Sequence, residues 1–134
     1  MDCRCVSSSS GLVPRDGIEF SAKGLLAFSD LLVQHLNFWN SANLARLKHQ
    51  PAPKVTDNDT TFAFDPKQWD ATLKQFDRVM GELEQFVETA DDATLAKVAP
   101  TVARIAQHNA YHIGEMVTSR KKQGTWDPEN GVKI

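Results

Sequence analysis

From position 69 to position 87 the apolar residues Trp69, Leu73, Phe76, Met80, Leu83 and Val87 step by four, three, four, three and four. An α-helix lays that spacing into one stripe, because 3.6 residues per turn bring a side chain back to the same face every three to four positions. A helix carrying such a seam must bury it, and the spacing is that of helix-on-helix packing rather than of a sheet. Asp65-Pro66 marks the start: the carboxylate can cap the first free N–H groups, and a proline in the first turn lacks an N–H that would have no partner there anyway.

Two other segments share the helical period. Across residues 20–50, Leu25, Phe28, Leu32, Trp39 and Ala42 recur at short helical intervals, with His35 standing where the next core residue belongs. Leu26, Leu31, Val33, Leu36, Leu44 and Leu47 widen the apolar arc, so this helix is expected to pack on more than one neighbour before Pro51 and Pro53 end it. Residues 52–64 contain the turn-forming run Asp57-Asn58-Asp59-Thr60 and no period, which reads as a loop. Asp91-Asp92 begin the last segment, and Pro100 either opens its main helix or kinks it. Val102, Ile105, Ala106, His112, Ile113 and Met116 then trace one face that ends near Gly124. Three long helices without strand alternation predict an all-α, antiparallel bundle of the four-helix type. A fourth helix is not visible, so either the N-terminal region is ordered or a partner subunit, in a homodimer, completes the core.

At 134 residues the chain suits one domain. Its net charge of -2 recruits neither nucleic acid nor an anionic membrane. No apolar run approaches the ~20 residues of a membrane span, and a soluble, cytoplasmic protein is expected. The one basic run, Arg120-Lys121-Lys122, reads as a solvated helix end where cations oppose the negative pole of the helix dipole. The stretch from Ser7 to Arg15 resembles a serine linker followed by a thrombin cleavage site. Residues 1–16 are therefore read as tag-derived or disordered and residues 17–134 as the domain. Cys3 and Cys5 both fall in the leading segment, which excludes a disulfide framework and leaves them no metal role.

The four histidines carry the functional signal. His108 and His112 are four residues apart, which on a helix places both imidazoles roughly 40° apart on one face, within reach of a single ion. Laying residues 20–50 beside residues 100–123 lets His35 point at that face, while His49 is roughly 21 Å further along the axis and belongs with the helix end. The plainer alternative is a hydrogen-bonded core histidine with no metal at all. Three neutral imidazoles would leave an open position on zinc, nickel or ferrous iron, and ligand type alone does not choose among them.

The segment Gln107-His108-Asn109-Ala110-Tyr111-His112-Ile113-Gly114-Glu115-Met116, followed by Arg120 and by Gly124-Thr125-Trp126-Asp127-Pro128, resembles the terminal helix of the DinB-like proteins. Leu31-Leu32-Val33-Gln34-His35-Leu36-Asn37-Phe38-Trp39 is similar to that family's first metal-binding helix. The resemblance covers residues 20–134. It implies a four-helix bundle holding one divalent ion on three histidines, here His35, His108 and His112, and relatives that are damage-inducible, metal-dependent hydrolases or transferases using a low-molecular-weight bacterial thiol. Family members usually carry one more helix before the first ligand helix, a place held here by the tag-like segment. Glu115, one turn beyond His112, is the nearest carboxylate in sequence and is the candidate general base or hydrogen-bond partner of a ligand. Asn109 and Tyr111 are assigned packing or hydrogen-bonding roles. The expected function is a metal-dependent enzyme acting on a small molecule; the alternative is a non-enzymatic, metal-stabilised bundle serving as a stress-response or interaction module.

Overall fold

The three periodic segments fold as helices, and most of their ends have a local cause. The computed structural model describes residues 22–63 and 65–130. Helix α1 spans Ala22–Leu47, α2 spans Trp69–Thr89 and α3 spans Asp92–Lys122, with short 3-10 turns at Asn58–Phe62, Pro66–Gln68 and Pro128–Asn130. No strand occurs among the described residues. Residues 1–16, with Cys3 and Cys5, and the side chains of Leu25 and Leu26 lie outside the described part.

Helix α1 stops ahead of Pro51. The Gln50 N–H closes on the Ala45 carbonyl at 2.8 Å and the His49 N–H on the Arg46 carbonyl at 3.1 Å, the double bond pattern of a left-handed helix stop. His49 takes the left-handed position with φ 56°, a conformation that usually falls to glycine. Helix α2 is entered through the turn Pro66–Gln68, where the Asp65 carboxylate accepts the Lys67 N–H at 3.0 Å. Asp91 caps α3 by accepting the Thr94 N–H at 2.7 Å. At the far end Gly124, with φ 69°, closes α3 as the Thr125 N–H reaches the Arg120 carbonyl at 3.0 Å. Pro100 lies within α3 rather than at its start. The carbonyl of Ala96 loses a donor there, and both residues are exposed, so water can satisfy it.

Helix α1 lies between the other two and packs along both of them, as its wide apolar arc predicts. Leu36 and Ala42 are fully enclosed. Below them Leu44 and Leu47 join Val79 and Leu83 of α2 and Ile105 of α3 in one core, with Met80, Phe86 and Val98 packed against it. Each such aliphatic side chain contributes roughly 1.5–3 kcal/mol when fully buried. Polar residues are buried beside them: Asn37 donates to the Thr72 carbonyl at 2.8 Å, and Asn40 and Asn109 exchange amide bonds of 2.8 and 3.2 Å between α1 and α3.

The inward faces of α2 and α3 are turned from those that periodicity marks. Leu83 is buried and Trp69, Phe76, Met80 and Val87 are half-buried, but Leu73 is 38% exposed, and Thr72 and Val79 sit deeper. In α3, Ile105, Asn109 and His112 face inward while Ala106 and Ile113 are exposed. Both shifts share one cause: each helix meets α1 along one side, and no helix among the described residues covers the other. Three long helices are present among the described residues, and a fourth is not.

Replacing His49 by Gly should raise stability by about 1 kcal/mol, because glycine adopts the left-handed stop without the Cβ clash. Thermal denaturation followed by circular dichroism would show this as a gain of about 2–5 °C; a lower midpoint would mean that the imidazole contributes more than the backbone costs.

Candidate metal centre

His108 and His112 occupy one face of α3, and the antiparallel packing of α1 sets His35 against them. The Nε2 atoms of His35 and His112 each lie 3.1 Å from His108 Nε2. The possible donor atoms of all three fall within 4.8 Å of one another, making this a three-histidine cluster that could hold a metal ion. Bonds of roughly 2.0–2.1 Å to one tetrahedral ion separate the ligand nitrogens by about 3.3 Å, close to the spacing present here.

The partners of the other ring nitrogens determine where the protons sit. Thr61 Oγ1 lies 2.7 Å from the Asn58 carbonyl and 2.6 Å from His35 Nδ1. A carbonyl only accepts, so both contacts are hydrogen bonds only if the threonine proton goes to Asn58 and His35 Nδ1–H donates to Thr61. His35 Nε2 is then an unprotonated donor atom aimed into the cluster. His112 Nδ1 lies 2.8 Å from Glu115 Oε2, a carboxylate that likewise fixes the proton on Nδ1 and bares Nε2.

His108 cannot satisfy both neighbours. A proton on its Nε2 can be given well to only one of two lone pairs. A proton on Nδ1 leaves three lone pairs converging, and that buried Nδ1 has no partner among the described residues. A cation shared by the three Nε2 atoms removes the repulsion, so the residues fit a divalent ion.

Burial pushes the His35 imidazole down to about 3, with the neighbouring His112 and His108 adding to the effect. Burial, then His112, lowers His108 to about 4. Both rings are therefore neutral near pH 7, the state that ligates.

Two contacts to His35 come from the segment that periodicity leaves as a loop. Phe62 stacks on the imidazole with centroids 4.0 Å apart and planes 8° from parallel, and Thr61 takes its Nδ1–H. Asn58, which receives the Thr61 proton, is itself held by the Trp39 indole N–H at 3.1 Å. The run Asp57-Asn58-Asp59-Thr60 signals a tight turn, and Asp57 indeed caps it, but nothing in one dimension places that turn against His35. Glu115 meets His112, Asn109 bonds Asn40, and the Tyr111 ring packs edge-on to His112 at 5.0 Å. His49 is exposed at the end of α1, away from the cluster.

Helices holding a convergent trio of imidazoles define an all-α bundle class with a three-histidine donor set. The family model of the DinB superfamily matches residues 31–116, more than half of the chain and all three histidines, and the chain belongs to that superfamily. No curated protein and no solved structure matches it.

Two outcomes follow from the proton positions. Thr61→Val removes the acceptor from a buried N–H and should cost about 1–3 kcal/mol in urea denaturation, whereas Thr61→Ser should retain most of it; equal losses would reject the hydrogen-bond assignment. In the metal-free protein, His35 and His108 stay neutral while histidines of the unfolded chain take up protons below their ordinary pKa of 6.5. The stability tied to their neutral state is thus fully present above about pH 6.5 and is lost as pH falls towards 4 and 3. Urea midpoints measured in chelator should drop across that window, and the His35→Gln/His108→Gln double variant should show a shallower slope; an unchanged slope would count against it.

Proposed function

We propose that His35, His108 and His112 bind one divalent ion through their Nε2 atoms and that the protein is a metal-dependent enzyme acting on a small molecule. The observation that carries this reading is the convergence of three Nε2 atoms, two of them stripped of protons by partners on the far side of the ring. Thr61 and Glu115 hold the rings of His35 and His112 in the ligating tautomer, and Phe62 shields His35 from water. Zinc, nickel or ferrous iron suits three neutral imidazoles, and the ion would supply a Lewis acid that lowers the pKa of a water or thiol at its open position.

A thiol-dependent S-transferase or a hydrolase is the reaction class we assign, in keeping with the DinB superfamily membership. Glu115 is a positioning residue in this scheme: its Oε2 is committed to His112 Nδ1, so it acts on the reaction through that ligand.

Elemental analysis of protein purified without a polyhistidine tag should find about one divalent ion per chain, and His108→Ala should reduce it to a small fraction. Glu115→Gln should weaken metal affinity by about 10–100-fold. The metal-loaded protein should conjugate bacillithiol, mycothiol or glutathione to electrophiles, or hydrolyse activated esters or amides. A wild-type protein that binds no metal in titration sinks the reading. Loss of most thermal stability with the ion, and no turnover in any assay, would favour the metal-stabilised interaction module.

A further inference from the structure

One helical turn beyond His35 stands Trp39, and one turn before His108 stands Arg104. Both line a cleft of about 760 Å³ that runs from there between the C-terminal half of α1, the end of α2 and the start of α3. Its size is that of a small-molecule site. Trp39, Phe86, Val98 and Ile105 give it apolar walls.

Its charge is one-sided. Arg46, Lys97 and Arg104 line the cleft, and among the described residues no aspartate or glutamate does. The protein as a whole carries a net charge of -2, so this concentration of cations is local. Lys48 also lines it but is paired with Glu82 at 2.7 Å. The other three form no ion pair among the described residues. Neutral partners hold the two guanidinium groups instead: Arg46 donates to Asn43 Oδ1 at 3.0 Å and sits 6.0 Å over the Trp39 ring, and Arg104 donates to Thr101 Oγ1 at 3.4 Å. Each keeps further N–H donors for a ligand, and guanidinium groups suit the paired oxygens of a carboxylate or phosphate.

We propose that this cleft binds a small molecule with an apolar body and an oxyanion head, the head taken by Arg46, Lys97 and Arg104 and the body by Trp39 and Phe86. Trp39 and Arg104 lie roughly 6 Å along their helices from the histidines, and Arg46 and Lys97 roughly 16 Å, so a molecule that extends past Arg104 and Trp39 would point its free end at the cluster. That last step, which makes the cleft the substrate arm of the site, rests on the metal-dependent reading; the binding itself does not.

Calorimetric titration with 1-naphthyl phosphate, 1-naphthoate and the neutral 1-naphthalenemethanol tests it. Either anion should bind at least about tenfold more tightly than the alcohol, and more weakly as salt rises. Near pH 7 the phosphate carries about -1.5 to -2 and the carboxylate about -1, so a site that reads charge alone favours the phosphate, and equal or tighter carboxylate binding identifies the head as a carboxylate. The Lys97→Gln/Arg104→Gln double variant, checked for helix content by circular dichroism, should lose about tenfold or more in anion affinity. Wild-type protein titrated in chelator should bind the anions within about twofold of untreated protein, so a failed metal site leaves this result standing. Alcohol binding as tight as anion binding, unchanged anion affinity in the double variant, or no anion binding by the folded wild type up to about 10 mM overturns the proposal.

Discussion

The reciprocal amide bonds between Asn40 and Asn109 set the register of α1 against α3, and the histidine cluster depends on that register. Both residues are buried, and each amide is donor and acceptor to the other at 3.2 Å or less. Sliding α3 by one residue would break both bonds and leave buried polar atoms without partners, at a cost of about 1–3 kcal/mol for each group. Asn109 lies between His108 and His112 in sequence, and Asn40 is five residues beyond His35. Holding the amides together therefore presents His35 to the other two imidazoles. Aliphatic contacts alone, such as those of Leu44, Leu47 and Ile105, are less directional and would tolerate small shifts more readily.

Packing brings the rings together, but their chemistry is set from outside the cluster. Thr61 on the short turn after α1 and Glu115 on α3 each hold the proton on a far-side nitrogen. Among the described residues His108 has no such partner, since its buried Nδ1 is unbonded there. Proton positions on His35 and His112 are thus dictated by neighbours, while that on His108 is left to whatever the three Nε2 atoms share. The turn carrying Thr61 is tied in turn to Trp39 through Asn58. Trp39 also walls the basic cleft, so the same indole borders the ligand space and braces the support of His35.

The helices and their ends were legible because their causes are local. The stripe from Trp69 to Val87, the caps at Asp65 and Asp91 and the stop near Gly124 all answer to the geometry of a single turn. The grouping of His35, His108 and His112 was legible for a related reason, since helical phase and an antiparallel neighbour leave few other meeting points. His49 was set aside by the same arithmetic, and its place at the end of α1 agrees. Periodicity was a poorer guide to the inward faces. Leu73, Ala106 and Ile113 fit the apolar stripes yet are exposed, while Thr72, Asn37, Asn40 and Asn109 are buried.

The amino-acid sequence by itself determined three helices, most of their ends, the trio of imidazoles and the family, because backbone hydrogen bonding and the 3.6-residue repeat act over a few positions. Tertiary structure alone decided which sides of α2 and α3 turn inward, the amide lock on register, the clamp of Thr61 and Phe62 on His35, and the gathering of Arg46, Lys97 and Arg104 around one cleft. Burial is a property of neighbours: a side chain is hidden only where another segment covers it, and partners separated by 26 or 69 residues meet only once the helices have packed.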